Sequence, residues 1–558
     1  MKQWLFGLFC VLSLGCATTS ARFTSREELE KVLAAPKPVK VFKDASLDVD
    51  AWELAGPFPL EVADAPHEAD GVFSRFFLAR AQAKGVRPTQ PLACVARETA
   101  RFILEKERYP GSLLRDFIVA RCGSAASNVR LQSLSGEAPE DVGDDALLSR
   151  WESDVGKMVE ALRAGQSGGL SLVRGGGKAV VVLASVTPSG SLEPLSIFPS
   201  PDGAVVLRGT APAGAAELYA YANQGATKSV RCRDTGRFQL PSFEVTCQVD
   251  LADAHAWIEV GSAEKGRLLG HGFAQVLVWP GQQPSTRYVR PQYGTPGGEL
   301  SPEGVLAKLN EVRTAGGLAP LELSSAQTAD NRELAPFFFD AVFRGDDSQQ
   351  DRIALGVIAG WRVESDISGG TIGSQWVEAP ELSLLLAHQL ESAGTRAMLL
   401  DPDNRVLAVG LYQEEGFVAA LVSAYPKVGS TTWPDSTEAV LVHLDEARKK
   451  EGRPEAQWVR LPSQLEKYLA DGVAKRSFDD EEALERFMTE AAEVTRRPVQ
   501  GWRIHASKLS QVDWPEGLLK KQKLDLLGVV TVQRKADEPW SDYLILVVVL
   551  LGDGVDQT

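Results

Sequence analysis

One pattern of apolar and polar positions is written twice along this chain. Residues 301–317 read SPEGVLAKLNEVRTAGG and residues 436–452 read STEAVLVHLDEARKKEG; they align without a gap, 135 positions apart, with eight of seventeen residues identical. In the first stretch Val305, Leu306, Leu309 and Val312 recur at helical spacing. Ser301 suits an N-cap, Pro302 the first helical position and Glu303 the positive end of the helix dipole. Gly316 and Gly317 supply the stop. The second stretch repeats the design with Ser436, Glu438, Val440, Leu441, Leu444, Ala447 and Gly452. Glu311 with Glu446, and Arg313 with Arg448, fall at phases expected to face solvent. Packing does not demand identity there, so the repetition points to duplication.

Each predicted helix is followed by more helix and then by two alternating apolar runs. Residues 406–425 form such a pair around Glu414-Glu415-Gly416, and 526–551 another with its turn near Asp537–Pro539. The last run, Tyr543 to Leu551, is the length of a buried strand and too short for a membrane span. A fainter echo lies upstream. Residues 79–103 share the step Gly85-Val86-x-Pro88 before a helix, and 169–186 form a third strand–turn–strand around Gly175-Gly176-Gly177-Lys178. Helices closed by a hairpin, three times over, imply α+β layering.

Between about 203 and 282 the period changes to short alternating strands with turn signals, as in an immunoglobulin-like or carbohydrate-binding-like sandwich. Cys232 and Cys247 would lie on neighbouring strands there. Tyr219 and Tyr221 share one face by alternation, with the core as their expected side, and with Trp257 they are the candidate aromatics for a glycan-facing row.

The N-terminus changes the picture. Lys2 precedes an apolar run from Trp4 to Leu14, then Gly15-Cys16. A short positive start and an apolar run of this length read as a secretory signal. Leu12-Ser13-Leu14-Gly15-Cys16 resembles the bacterial lipobox, which implies acylation of Cys16 and anchoring by lipid chains. Ala17, rather than Asp, follows the cysteine, which favours the outer membrane. Residues 17–40 read as a polar tether ending in Pro-Lys-Pro. In an oxidising compartment the four remaining cysteines are expected to pair locally, Cys94 with Cys122 and Cys232 with Cys247. The net charge of −15 over 558 residues argues against nucleic acid as a partner.

The central stretch carries a further pattern. Leu309-Asn310-x-x-Arg313 followed by Gly317-Leu318-x-Pro320-Leu321 resembles the opening helix of the CAP superfamily of cysteine-rich secretory, venom-allergen and pathogenesis-related proteins. Downstream of Trp376, Ser392, Gly394, Arg396, Leu399, Leu400, Pro402, Val409 and Gly410 match a second family segment in order. The resemblance spans about 300–428 and reaches the outer copies only through their likeness to this one. The family's cleft carries two His and one or two Glu that hold a divalent metal. Here Thr395 stands in place of one His, and Asp340 is the nearest polar group where the other would arrive. Ser365 aligns with the expected Glu, with Glu364 one place off. His388, in the apolar stretch LLLAHQL, reads as a capped or core histidine. Some relatives bind sterols or fatty acids and others are reported as proteases.

The expected organisation is a signal peptide over 1–15, a tether over 16–40, a divergent CAP-like module over 41–200, the β-sandwich over 203–282, a CAP-like domain over 295–428 and a divergent copy over 433–558. The fold class is α+β and multi-domain, with up to three α-β-α modules and one all-β sandwich. The expected role is an envelope lipoprotein at the outer membrane, periplasmic or surface-facing. It would be a non-catalytic scaffold for a protein, peptide or lipid ligand, with no cofactor, no metal and no catalytic residue. Two alternatives stay open: a hydrolase using Asp340, Glu364 or Glu378 in a rebuilt carboxylate or metal cleft, and glycan or peptidoglycan binding through the sandwich.

Overall fold

Both copies of the repeated pattern are helices, Pro302–Ala315 and Thr437–Lys450. Ser301 caps the first, its Oγ accepting the Gly304 N–H at 3.1 Å. The upstream echo over 79–103 begins in the end of a helix, Val72–Ala83, and runs into the next, Gln90–Lys106. The helices Val72–Ala83, Pro302–Ala315 and Thr437–Lys450 stop in the same way. Gly85, Gly317 and Gly452 take φ of +71°, +73° and +68°, a left-handed conformation that glycine adopts without strain. The next residue's N–H then turns back onto the helix, Val86 to the Ala81 carbonyl, Leu318 to that of Arg313 and Arg453 to that of Arg448.

The computed structural model describes residues 26–38, 46–264, 270–281, 283–359, 371–377, 381–414, 416–426, 437–458, 462–465, 467–468, 481–506, 512, 514–533 and 543–550. The chain is a mixed α+β, multi-domain protein. It divides into a larger unit, Leu29–Ala354 with Thr371–Ala424, and a smaller one, Met1–Glu28 with Leu355–Gly370 and Tyr425–Thr558. The expected signal segment, Cys16, Glu364, Ser365, Glu378 and the turn at 537–539 lie outside the described residues. Part of the expected tether is a helix, Arg26–Leu33, in which Leu29 and Val32, one turn apart, are buried. No described helix is long and apolar enough to cross a membrane.

Three four-stranded sheets share one strand order. The first runs Arg87–Pro88, Ser167–Gly175, Lys178–Val186, Arg130–Glu137. The second runs Glu322–Leu323, Asn404–Glu414, Phe417–Pro426, Thr371–Val377, and the third Gln457–Trp458, Asp525–Gln533, Tyr543–Leu550, Val499–Ala506. In each, a two-residue strand runs parallel to the first arm of a hairpin, and an antiparallel edge strand flanks the second arm. A long helix crosses the hairpin in the first two, Gln90–Lys106 and Ser325–Arg344. Contact there is close. A Cβ at Gly410 would sit 2.2 Å from the Asn331 carbonyl carbon, and one at Gly169 2.1 Å from the Ala93 nitrogen.

The sandwich has two antiparallel four-stranded sheets. One orders Arg233–Asp234, Ser242–Gln248, Ala204–Thr210 and Ser191–Leu192; the other Lys228–Arg231, Ala215–Gln224, Ala256–Glu264 and His271–Val278. It begins at Ser191, about a dozen residues before the expected boundary, because the short strand there pairs with Gly209 and Thr210. Val205, Leu207, Val245 and Cys247 of one sheet share a core with Ala220, Ala222, Ile258 and Val260 of the other. Tyr219 and Tyr221 do share a face, their rings 6.1 Å apart. It is the face opposite the buried Ala220 and Ala222, which corrects the core placement. Both disulfides form as expected, Cys94–Cys122 and Cys232–Cys247.

The repeated arginines are not on the solvent side. Arg313 and Arg448 are both fully buried. Arg313 donates to the carbonyls of Ala319, Leu399, Asp401 and Asn404. Arg448 donates to those of Pro454, Leu518 and Lys521. Ala319 and Pro454 occupy the same place, six residues on. Three residues before each arginine, Asn310 Oδ1 accepts the Leu321 N–H and Asp445 Oδ1 the Ala456 N–H, both at 2.8 Å. Each of the two similar stretches is therefore a buried clamp that holds the loops around its own helix. At the matching turn upstream, the carbonyl that accepts the returning N–H belongs to Ala81.

Candidate functional site

Helix Ser112–Arg121 buries Leu113, Leu114, Phe117 and Ile118. Its remaining stripe, Ser112, Arg115 and Asp116 at i, i+3 and i+4, faces a cleft of about 1540 Å³ in the larger unit. Cys122 at the end of this helix is tied to Cys94, which fixes the wall. A second wall comes from helix Leu382–Glu391, whose His388 and Glu391 lie one turn apart on the cleft. The sandwich supplies the third. Trp257 and Glu259 alternate on strand Ala256–Glu264 and reach the cleft with Gln275, and Tyr288 and Tyr293 follow.

Hydrogen bonds lock these parts together. Gln275 N–H donates to the Ala125 carbonyl at 2.8 Å, and Ser127 Oγ to the Gly272 carbonyl at 2.8 Å. Glu259 Oε2 accepts the Ala393 N–H at 3.2 Å. Arg396 is the main tie. It is 1% exposed and donates to the Gly225 and Lys228 carbonyls of the sandwich at 3.1 and 3.2 Å, and to Tyr293 Oη. Tyr293 in turn donates to Glu391. The position that the sequence singled out as part of an eroded cleft is thus a fastener between domains.

The walls thin the hydration of the charged groups. Burial pushes the Asp116 carboxyl up against the opposing pull of Arg115 and His388, although 32% of its side chain still faces the cleft. Burial, and then the Asp116 charge, push Glu259 up, while the bond from Ala393 pulls it down. Tyr288 and Tyr293 are raised mainly by burial. On this lining, burial thus raises the Asp116 and Glu259 carboxyls above their ordinary values.

Four buried polar atoms of its lining residues have no hydrogen-bond partner among the described residues, Asn223 Oδ1, Asp253 Oδ2, Trp279 Nε1 and Tyr288 Oη, while His388 Nε2 has Asp48 Oδ1 at 3.6 Å. Buried polar atoms are almost always paired, so four among the residues of one cavity wall set that wall apart. On the same lining Trp376 is 39% exposed, with Phe343 edge-on at 5.2 Å.

The other singled-out residues lie elsewhere. Asp340 pairs with Arg344 at 2.7 Å and does not line the cleft. Thr395 is buried, close enough to Gly373 that a Cβ there would meet it at 2.9 Å. His388 is buried as expected but sits on the cleft wall, with Nδ1 3.0 Å from Ser112 Oγ. Among the described residues no three His, Cys, Asp or Glu side chains are placed to share a metal ion. Sequence reasoning missed Ser112, Asp116, Glu259 and Tyr288. Each sits in an ordinary helix or strand pattern, and nothing local marks it.

No family model matches the chain, and no curated protein sequence matches it. Among solved structures, that of Na-ASP-1 covers 64% of this chain and 89% of its own, at 11% identity and a TM-score of 0.16, a likeness too distant to assign fold or function.

Proposed function

We propose that this chain is an exported envelope protein, anchored by lipid at Cys16, whose CAP-like modules act as a binding scaffold, with the ligand held in the cleft between sandwich and helices. The modular part of the reading is supported by the shared order of the three sheets and by the buried work of the residues that carry the resemblance, Arg313, Arg396 and Gly410. Those residues specify packing, which persists when a family's metal ligands are gone.

The observation that carries the binding reading is the set of four unpartnered buried polar atoms on residues that line one cavity. The lining sets the chemistry of the ligand. Asn128, Gln132, Gln275 and Gln375 offer amides, and Trp376 with Phe343 offers a half-exposed aromatic platform. Amides beside a ring face suit a glycan, whose hydroxyls take the amides and whose C–H face lies on the ring. This moves the glycan reading from a row of sandwich aromatics to the cleft, where Trp257 is the one member of that row on the lining. The hydrolase reading through Asp340 gains nothing, since that carboxylate is paired with Arg344.

The test is tryptophan emission of the full chain in detergent, titrated with soluble peptidoglycan fragments. A saturable change is expected, weakened about tenfold or more in Trp376→Ala, roughly the 1.4 kcal/mol of one lost stacking contact. No change up to millimolar fragments rejects the glycan. Anchoring is checked separately: Cys16→Ala is expected to release the chain from membranes.

A further inference from the structure

We propose that Ser112, His388 and Asp48 form a nucleophilic site in the wall of the cleft, one that transfers an acyl group from an ester or amide ligand to water. This rests on the cleft being the ligand site. The three residues come from three distant parts of the larger unit and meet on one lining. Ser112 Oγ lies 3.0 Å from His388 Nδ1, its one polar partner among the described residues. On the far side of the ring, His388 Nε2 lies 3.6 Å from Asp48 Oδ1, with the two side chains only 5% and 7% exposed. A neutral imidazole that turns its N–H toward a carboxylate presents its other lone pair to the hydroxyl. The carboxylate contact is slightly long for a hydrogen bond, as catalytic contacts often are before substrate closes them.

Local structure holds this arrangement. Asp48 lies against Gly111, where a Cβ would come within 2.1 Å of Oδ1, so a larger residue would displace the carboxylate. Ser112 is the first residue of a ten-residue helix. The N–H groups of that first turn lack intrahelical acceptors and lie at the positive end of the dipole, where they can receive a developing oxyanion. The role of each residue follows from geometry, since such a constellation is recognised by its contacts and not by sequence order.

The chemistry balances with water as the second reactant. Ser112 Oγ attacks the acyl carbon while its proton passes to His388 Nδ1. The bond from that carbon to the leaving oxygen or nitrogen breaks, and His388 returns the proton to the departing alcohol or amine. Water then attacks the acyl-serine, gives a proton to His388, and the carboxylic acid leaves as Ser112 regains its hydrogen. Asp48 is a positioning residue, which orients the ring and stabilises the imidazolium.

The experiment is reaction of the full chain in detergent with a fluorophosphonate, followed by peptide mass spectrometry. A native-state adduct on Ser112, absent from heat-unfolded chain, is expected. His388→Gln should slow labelling about 100-fold or more. Asp48→Asn should lower the maximal labelling rate while leaving the probe's half-saturating concentration unchanged, a split that mere loosening of the fold would not give. No adduct on Ser112 in native wild type overturns the proposal, as does equal labelling of native and unfolded chain. The probe needs no glycan, so a cleft that binds peptidoglycan fragments but leaves Ser112 unlabelled rejects this site alone.

Discussion

A buried guanidinium must place five N–H donors, and Arg313 places its donors on the carbonyls of Ala319, Leu399, Asp401 and Asn404. Burial pulls it down to about 10, with Arg405 adding to the effect, yet it stays charged at neutral pH. Replacing it by Met takes the donor from the buried Leu399 and Asn404 carbonyls. Arg313→Met is expected to cost about 3 kcal/mol or more, read from the urea midpoint, with Arg313→Lys intermediate. A loss under about 1 kcal/mol would show that the clamp is dispensable. Its sequence neighbour Glu311 is held down to about 2, first by the Thr295 hydroxyl, then by the Thr295 N–H and Lys308. Its ordinary value is 4.5. A lowered carboxyl contributes stability that is complete above the unfolded value and fades as pH falls through the folded one. The tie should therefore open between about pH 4.5 and 2, and Glu311→Gln should remove that part of the acid transition in circular dichroism. The sequence made both residues visible through repetition, but a helical phase count puts every charge outside. The carbonyls that draw Arg313 inward lie as far as 91 positions away, beyond any local pattern.

At the scale of elements, caps and turns were the legible part. Ser301, the glycine stops and the hairpin at Gly176–Gly177 all follow from local rules, and so did the local pairing of the cysteines. The shared sheet order was only half visible, because its parallel edge strands are two residues long and carry no period. The sandwich's first strand at Ser191 escaped for the same reason. Two elements bear directly on the cleft. Reducing Cys94–Cys122, or replacing both by Ser, frees the end of the Ser112 helix. It should cost about 3–4 kcal/mol on loop entropy for a separation of 28 residues, measured by thermal unfolding. Gly410→Ala should cost about 3 kcal/mol, since the methyl would meet the Asn331 backbone, which cannot swing aside as a side chain can. Wild-type stability in that variant would mean that the helix does not lie so close to the hairpin.

At the scale of the molecule, the cleft is where sequence reasoning fell short. Ser112 and His388 are 276 positions apart, and neither has a motif around it. Arg396 drew notice through a family resemblance, but its carbonyl partners at Gly225 and Lys228 belong to the sandwich, so its role as a fastener exists only in the assembled unit. The same assembly explains why carboxylates that look solvated in the sequence, Asp116 and Glu259, are pushed toward neutrality. The most direct measurement is hydrogen–deuterium exchange of the full chain with and without soluble peptidoglycan fragments. Protection is expected in peptides covering 112–117, 255–259, 288–293 and 388–396, which line the cleft. Protection confined to other segments, or none at saturating fragment, would contradict the cleft as the glycan site.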